Sequence, residues 1–97
     1  MSTEVQNKYV GLDLIAGDTT EAVLQAVEQD NPTVKISRYP AWVKIESLER
    51  LVINRESVEK YLGMSWNPRE LELIVTSYYG FMTEWDDDQI LLQWDNV

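Results

Sequence analysis

The sequence contains no cysteine and no histidine among its 97 residues. The first absence excludes disulfides and thiolate metal sites, and the second removes the imidazole on which the common serine and cysteine triads depend. Zinc, haem and iron–sulfur centres need these residue types in most cases, and there is no glycine-rich phosphate loop. We therefore expect the chain to carry no catalytic residue, no metal and no cofactor.

Long apolar runs are also missing, and no stretch approaches the length of a membrane span. The first eight residues, MSTEVQNK, are polar and lack the apolar segment of a secretory signal. A soluble, cytoplasmic protein is expected. A chain of this length fits one domain, so we predict a single domain over residues 1–97, with residues 1–7 as a flexible tail.

Basic residues are scarce: 8 lysines and arginines stand against 17 acidic residues, and the net charge is −9. Such a polyanion repels the phosphates of nucleic acids and anionic membrane surfaces, so neither is expected as a partner. A basic protein surface remains possible. Simple solubility would account for the charge equally well.

Alternating apolar and polar residues predict β-strands in several segments. These are residues 8–17, 34–39, 41–46, 50–54, a long segment over 71–85, and 89–94. In the third strand Val43 and Ile45 share one face, and Trp42 lies on the other. Gly80 predicts a bulge or sharp bend in the long segment.

Two helices are predicted between these strands. Asp18 and Glu21 have the spacing of a capping box, and Val23, Leu24 and Val27 form an apolar stripe that ends before the helix-breaking proline at position 32. The second helix, at residues 56–62, is expected to bury Val58, Tyr61 and Leu62 and to end at Gly63.

A third helix start follows in the stretch YLGMSWNPRELE. Asn67 suits an N-cap, Pro68 the first helical position and Glu70 the third, where it completes a capping box. Trp66 and Leu71 have the spacing of a hydrophobic staple. This helix should be short, because Leu71, Leu73 and Val75 then alternate as in a strand.

The chain is expected to end in an acidic hairpin, with a turn at residues 86–88 and a last strand that buries Ile90, Leu92 and Trp94. The predicted order is β-α-β-β-β-α-(α)-β-β. This order indicates a small α+β domain with a mixed, mainly antiparallel sheet and two to three short helices.

Ten aromatic residues are more than so small a core holds. Those expected outside it flank Gly80, the acidic turn or the polar face of the third strand, and exposed aromatics are typical anchors of protein interfaces. The carboxylates give weaker evidence for a function. The segment EWDDDQ lacks the spacing of a calcium loop. Glu70 and Glu72 are better explained as a helix-cap residue and a strand residue than as an acid–base pair.

Several motifs in fixed order resemble the small effector proteins of bacterial multicomponent diiron monooxygenases, those of phenol hydroxylases and toluene monooxygenases above all. They are IAGDTTEAVLQAVEQDNP, YPAWVKIE, RLVINRESVEKYLG and WNPRELELIVTSYYG, followed by the acidic hairpin, and they cover about residues 9–94. EQDNP and the LG…N…ELE pattern are the most specific of them.

The resemblance implies a compact α/β fold and a cofactor-free regulatory protein without catalytic activity of its own. Such a protein binds a diiron hydroxylase oligomer and promotes coupled, O₂-dependent hydroxylation of an aromatic substrate. Electrons reach the hydroxylase from a separate flavin and iron–sulfur reductase. We predict that the partner-binding surface is formed by side chains of the stretch YLGMSWNPRELE, the bend around Gly80 and the loop at residue 31, together with Trp42 and Trp85. The predicted residues are Asn31, Trp42, Met64, Trp66, Asn67, Arg69, Tyr78, Tyr79, Phe81 and Trp85.

Two other classes of protein fit the residues. An acidic module that binds a basic partner, or a nucleic-acid mimic, would explain the charge but does not require the aromatic residues. A hydrolase or isomerase that uses carboxylates alone would show activity without any partner.

Overall fold

The computed structural model describes residues 8–94. The elements, in chain order, are β1 (Tyr9–Ile15), α1 (Asp18–Asp30), β2 (Lys35–Arg38), β3 (Trp42–Leu48), β4 (Arg50–Asn54), α2 (Arg55–Leu62), a 3₁₀ helix (Pro68–Leu73), β5 (Val75–Tyr79), β6 (Phe81–Trp85) and β7 (Gln89–Gln93). The α+β class is confirmed. The flexible tail predicted for residues 1–7 lies outside the described residues.

The strands form two antiparallel sheets rather than the one that was expected. The first has the order β2-β3-β1-β5, and the second has the order β4-β7-β6. In the first sheet Leu12 lies opposite Ile45 of β3 and Tyr78 of β5. In the second sheet Leu51 lies opposite Leu92. A sequence pattern reports which face of a strand is apolar but not which strand lies beside it.

Gly80 is the point at which the chain leaves one sheet for the other. The long strand predicted over residues 71–85 is in fact β5 in the first sheet and β6 in the second. Gly80 joins them with a φ of 109°, a conformation that side-chain-bearing residues rarely adopt. A Cβ at this position would lie 2.7 Å from Cγ1 of Val10. The predicted bend at Gly80 is confirmed, and it sets the strand count at seven instead of six.

One continuous apolar core lies inside these elements. The alternation of β1 buries Val10, Leu12 and Leu14 completely, as predicted. The stripe of α1 joins them with Val23, Leu24 and Val27, and the second sheet contributes Leu51, Ile53, Ile90 and Leu92. Helix α1 packs against α2 and β4. The core therefore joins both sheets to both α-helices.

The predicted N-cap of α1 is wrong. Gly17 occupies the cap position and forms no side-chain cap hydrogen bond. Instead Thr20 Oγ1 donates to the Ile15 carbonyl at 2.5 Å, and the Glu21 carboxylate accepts two hydrogen bonds from Arg38, at 2.8 and 3.1 Å. These bonds tie the start of α1 to the ends of β1 and β2.

The third helix start forms as predicted. The Asn67 side chain accepts a hydrogen bond from the backbone N–H of Arg69, and Glu70 accepts one from the backbone N–H of Asn67, so the capping box is complete. The helix is a short 3₁₀ helix and ends before β5. Leu71 is fully buried, whereas Leu73, expected on the same face of a strand, is 78% exposed. The strand pattern fails here because residues 71 and 73 are still helical.

Two further burial predictions are wrong. Trp94 lies just beyond β7 and is 43% exposed rather than buried. Tyr61 points away from the buried face of α2, and its hydroxyl donates to Gln29 Oε1 at 2.8 Å. In α2 the buried side chains are Ser57 and Val58, with Leu62 packed at the margin of the core.

Candidate functional site

The ten residues predicted to bind a partner do not form one surface. Two of them lie in the interior, and the other eight fall into three groups. The first is Trp42, at the end of β3; the second comprises Tyr78, Tyr79 and Phe81, around Gly80; and the third comprises Met64, Asn67, Arg69 and Trp85, around the 3₁₀ helix. Each group has its own geometry.

Asn31 is a buried residue that connects two elements of the fold. It is only 4% exposed. Its amide donates to the Val27 carbonyl at 3.1 Å and to the Val52 carbonyl at 2.9 Å, and its carbonyl accepts from the Val52 N–H at 2.9 Å. These bonds join the end of α1 to the middle of β4. The exposed position expected for Asn31 is wrong, because its place before a proline indicates a loop but not the strand that lies against that loop.

Trp66 is likewise in the interior, with 2% of its surface exposed, and it is the largest fully buried side chain. Its backbone N–H donates to Glu59 Oε2 at 2.8 Å. This hydrogen bond is the main cause that holds the pKa of Glu59 below its usual value, and the guanidinium of Arg55 is the second. Trp66 thus attaches the chain after α2 to the core, together with Leu71 of the predicted staple.

Two members of the third group, Arg69 and Trp85, line a groove of about 280 Å³ together with Glu72. Nε1 of Trp85 donates to the Pro68 carbonyl at 2.9 Å, and Nε of Arg69 lies 3.0 Å from the Asp87 carboxylate. These two bonds connect the 3₁₀ helix to β6 and to the acidic turn. Arg69 lowers the pKa of Asp87, chiefly through this hydrogen bond. The middle of residues 63–72 is thereby held against β6 and the acidic turn, and Met64 near the start of this stretch is 64% exposed.

The acidic turn itself is stabilised by its own backbone. Oδ1 of Asp86 accepts hydrogen bonds from the N–H groups of Asp88 and Gln89, both at 2.9 Å. These bonds lower the pKa of Asp86. The hairpin predicted at this position is confirmed. Within residues 8–94, no group of three Asp or Glu side chains is placed so that it could hold a metal ion.

The second group lies around the bend at Gly80, where β5 of the first sheet is followed by β6 of the second. The Tyr79 hydroxyl donates to the Glu46 carboxylate of β3. Burial, and then this hydrogen bond, raise the pKa of Tyr79. Tyr78 and Phe81 are about half exposed. Tyr79 lies across Gly11 of β1, where a Cβ would come within 2.8 Å of the Tyr79 hydroxyl.

Trp42 lies at the far end of the same sheet. As the alternation predicted, its side chain is opposite in direction to the buried Val43 and Ile45. It is half-buried, because its indole stacks on the Tyr39 ring with centroids 4.2 Å apart. Trp42 lies opposite Ile15 of β1, whereas Tyr79 lies opposite Gly11. Four residues of strand, about 13 Å, separate the two positions.

Three exposed apolar side chains on neighbouring segments were not expected from the sequence. Ile15 is 47% exposed, Tyr39 46% and Leu73 78%. The alternating pattern around these residues predicts strand faces, and a count of aromatic residues does not indicate exposed aliphatic side chains. The available signal was the absence of charge in the short segments IAG, YPAW and LIV.

Comparisons with known proteins agree with this fold. The sequence matches the MmoB/DmpM family over residues 8–93, and the chain belongs to that family. It is 39% identical over 79 residues to the phenol 2-monooxygenase stimulatory component DmpM of Pseudomonas sp. strain CF600, covering 81% of this chain and 87% of the relative. It is 30% identical over 87 residues to the effector subunit of the alkene monooxygenase system of Xanthobacter autotrophicus, covering 88% and 86% of the two chains.

Solved structures show the same relationship. A chain from the structure of a phenol hydroxylase–regulatory protein complex superposes with a TM-score of 0.81 at 34% identity, covering 90% of this chain and 99% of that one. The soluble methane monooxygenase regulatory protein B shares the fold with a TM-score of 0.70 at 16% identity, covering 93% and 67%. The relatives are stimulatory or effector components, so the role of this chain is regulatory rather than catalytic.

None of the helices within residues 8–94 is long and apolar enough to cross a membrane. The cytoplasmic location stays a prediction.

Proposed function

We propose that this chain is the regulatory component of a phenol-hydroxylase-type monooxygenase. It binds the diiron hydroxylase oligomer of that system and promotes coupled, O₂-dependent hydroxylation of an aromatic substrate of the phenol or toluene type. Electrons come from a separate flavin and iron–sulfur reductase. The observation that carries the proposal is the 39% identity to a phenol 2-monooxygenase stimulatory component over most of both chains.

The geometry supports a role in docking. Residues 63–72 are held by the capping box, by Trp66 in the core and by the contacts of Trp85 and Arg69. A surface that is already rigid loses little conformational entropy when it binds. We infer that Met64, Arg69 and Trp85 belong to the surface that meets the hydroxylase.

The test is a titration of the purified hydroxylase and reductase of the same system with this protein. The rate of phenol hydroxylation and the amount of product per electron should both rise and then saturate as the complex fills. An unrelated protein of similar size and net charge serves as the control, because an acidic module acting by charge alone would be matched by it. If neither the rate nor the product per electron responds to this protein, the proposed function is wrong.

A further inference from the structure

One end of the molecule is apolar and uncharged although the chain as a whole is highly charged. Three segments meet there, residues 15–17, 39–42 and 73–75, and we call them together the apolar end. None of these ten residues is charged, whereas 26% of the chain is. Seven of the ten are exposed and the other three are half-buried.

Backbone hydrogen bonds hold the three segments together. The Ile15 N–H donates to the Ile74 carbonyl at 2.9 Å, and the Ala16 N–H donates to the Ala41 carbonyl at 3.1 Å. The Tyr39 N–H donates to the Trp42 carbonyl at 2.9 Å, beneath the stacked rings of the same two residues. The apolar end is therefore a preformed surface and not a set of loose loops.

The exposure of this end is not explained by the fold. Leu73 has the largest exposed fraction of the large apolar side chains within residues 8–94, and Ile15 and Tyr39 are close to half exposed. Contiguous exposed apolar side chains with a polar border are typical of protein–protein interfaces.

The border of the apolar end is acidic. Asp18 follows the first segment and Glu72 precedes the third, and within the described part of the chain neither forms an ion pair. Arg38 precedes the second segment, but its guanidinium is engaged by Glu21 in two hydrogen bonds. The complementary surface is apolar in the middle and basic at its edge.

We propose that the apolar end anchors this chain to its hydroxylase, by filling an apolar depression bordered by lysine or arginine side chains. This inference rests on the proposed function. Leu73 is the last residue of the 3₁₀ helix that carries Arg69, so the apolar end directly follows the surface of residues 63–72 along the chain. It gives that surface the apolar centre that an interface anchor requires.

The experiment compares leucines in two places. Leu73→Ser removes the most exposed side chain of the apolar end, and Leu48→Ser removes a side chain that is 39% exposed at the opposite end of the first sheet. Affinity for the purified hydroxylase is measured by calorimetry. Leu73→Ser should weaken binding at least about tenfold, Leu73→Met should restore most of it, and Leu48→Ser should change it less than about twofold.

Ile15→Ser provides a second variant on a different element and should weaken binding in the same way. Thermal unfolding of every variant establishes that the fold is retained. The inference is overturned if Leu73→Ser and Ile15→Ser bind like the unmodified protein, or if Leu48→Ser loses as much affinity as they do. In either case stimulation by the unmodified protein would leave the proposed function standing.

Sedimentation of the free protein tests whether the apolar end instead binds a second copy of this chain. A dimer that Leu73→Ser dissociates, with hydroxylase binding unchanged, would assign the apolar end to self-association and overturn the inference. If the unmodified protein neither binds nor stimulates the hydroxylase, the proposed function itself fails.

Discussion

At the scale of single residues, Trp66 attaches the stretch YLGMSWNPRELE to the rest of the protein. Its indole is in the core, and its backbone N–H donates to Glu59 of α2. Full burial of a large aromatic side chain is worth several kcal/mol, and truncation also leaves a cavity. The tryptophan therefore stabilises the segment whose neighbouring side chains we propose to face the hydroxylase.

Trp66→Ala is expected to lower the free energy of unfolding by about 3–5 kcal/mol. Trp94→Ala, at a position that is 43% exposed, should cost much less, because most of its surface already meets water. Urea unfolding followed by circular dichroism gives both values. Equal losses for the two variants would contradict the burial that the structure assigns to them.

Asn31 offers a second prediction at this scale. Its replacement by alanine leaves the N–H and carbonyl of Val52 without their side-chain partner, and a buried polar group without a partner costs about 1–3 kcal/mol. Asn31→Ala should lower the free energy of unfolding by that amount. Hydroxylase affinity, extrapolated to the fully folded protein, should not change, and a specific loss of affinity would return Asn31 to the docking surface.

At the scale of elements, the crossing between the two sheets depends on Gly80. The bend turns β5 of the first sheet into β6 of the second within a single residue, at a positive φ and against the side chain of Val10. A side chain here has neither the backbone conformation nor the space that it needs.

Gly80→Ala should therefore destabilise the protein by more than about 1 kcal/mol. Gly17→Ser is the matched control, because a Cβ at Gly17 meets nothing within 4 Å and serine is a preferred N-cap residue. Thermal unfolding should show a lower melting temperature for the first variant and an unchanged or higher one for the second. The reverse order would show that the bend does not need glycine.

Glu59 connects two elements through a pH-dependent contact. Its folded-state pKa is lower than the ordinary 4.5, first because of the Trp66 N–H and then because of Arg55. A carboxylate of this kind contributes its stabilisation fully above the unfolded pKa, and the contribution is lost as the pH falls through the folded pKa.

The stability advantage of the unmodified protein over Glu59→Gln should therefore be largest above the ordinary pKa of 4.5 and should decrease as the pH falls through the lower folded-state pKa of Glu59. Urea unfolding across this range, with both proteins under the same conditions, measures the difference and cancels the titration of the other carboxylates. A difference that stayed constant with pH would show that the charge of Glu59 is not what stabilises the contact.

At the scale of the whole molecule, the lack of cysteine and histidine predicts a protein without redox groups of its own. Such a protein can change a diiron hydroxylase only by binding its states with different affinity. Linkage then requires reciprocity. If the affinity differs between the oxidised and reduced hydroxylase, the reduction potential must shift by the matching free energy.

A coupling of about 1–3 kcal/mol would appear as a 5- to 150-fold difference in affinity between the two redox forms. Calorimetry on each form and potentiometry with and without this protein measure the two sides of the cycle independently. If the potential shifted although both redox forms bound this protein equally, the thermodynamic cycle would not close. That result would contradict a single binding equilibrium between this protein and the hydroxylase.

Much of the local structure follows from the sequence alone. The alternation of β1 and the stripe of α1 identify core side chains because burial on one face has the period of the element. The capping box at Asn67 and the turn at Asp86 form as predicted because their hydrogen bonds lie within a few residues of the chain. Such contacts depend little on the rest of the fold.

Only the tertiary structure decided which surfaces face water and which strands are neighbours. Trp66 is buried and Trp94 exposed because segments distant in sequence cover one and leave the other open, and no periodicity records that choice. The split into two sheets at Gly80 likewise depends on which strand lies beside β5 and β6. The apolar end is assembled from three separate segments, so its apolar and uncharged character emerges only when backbone hydrogen bonds bring them together.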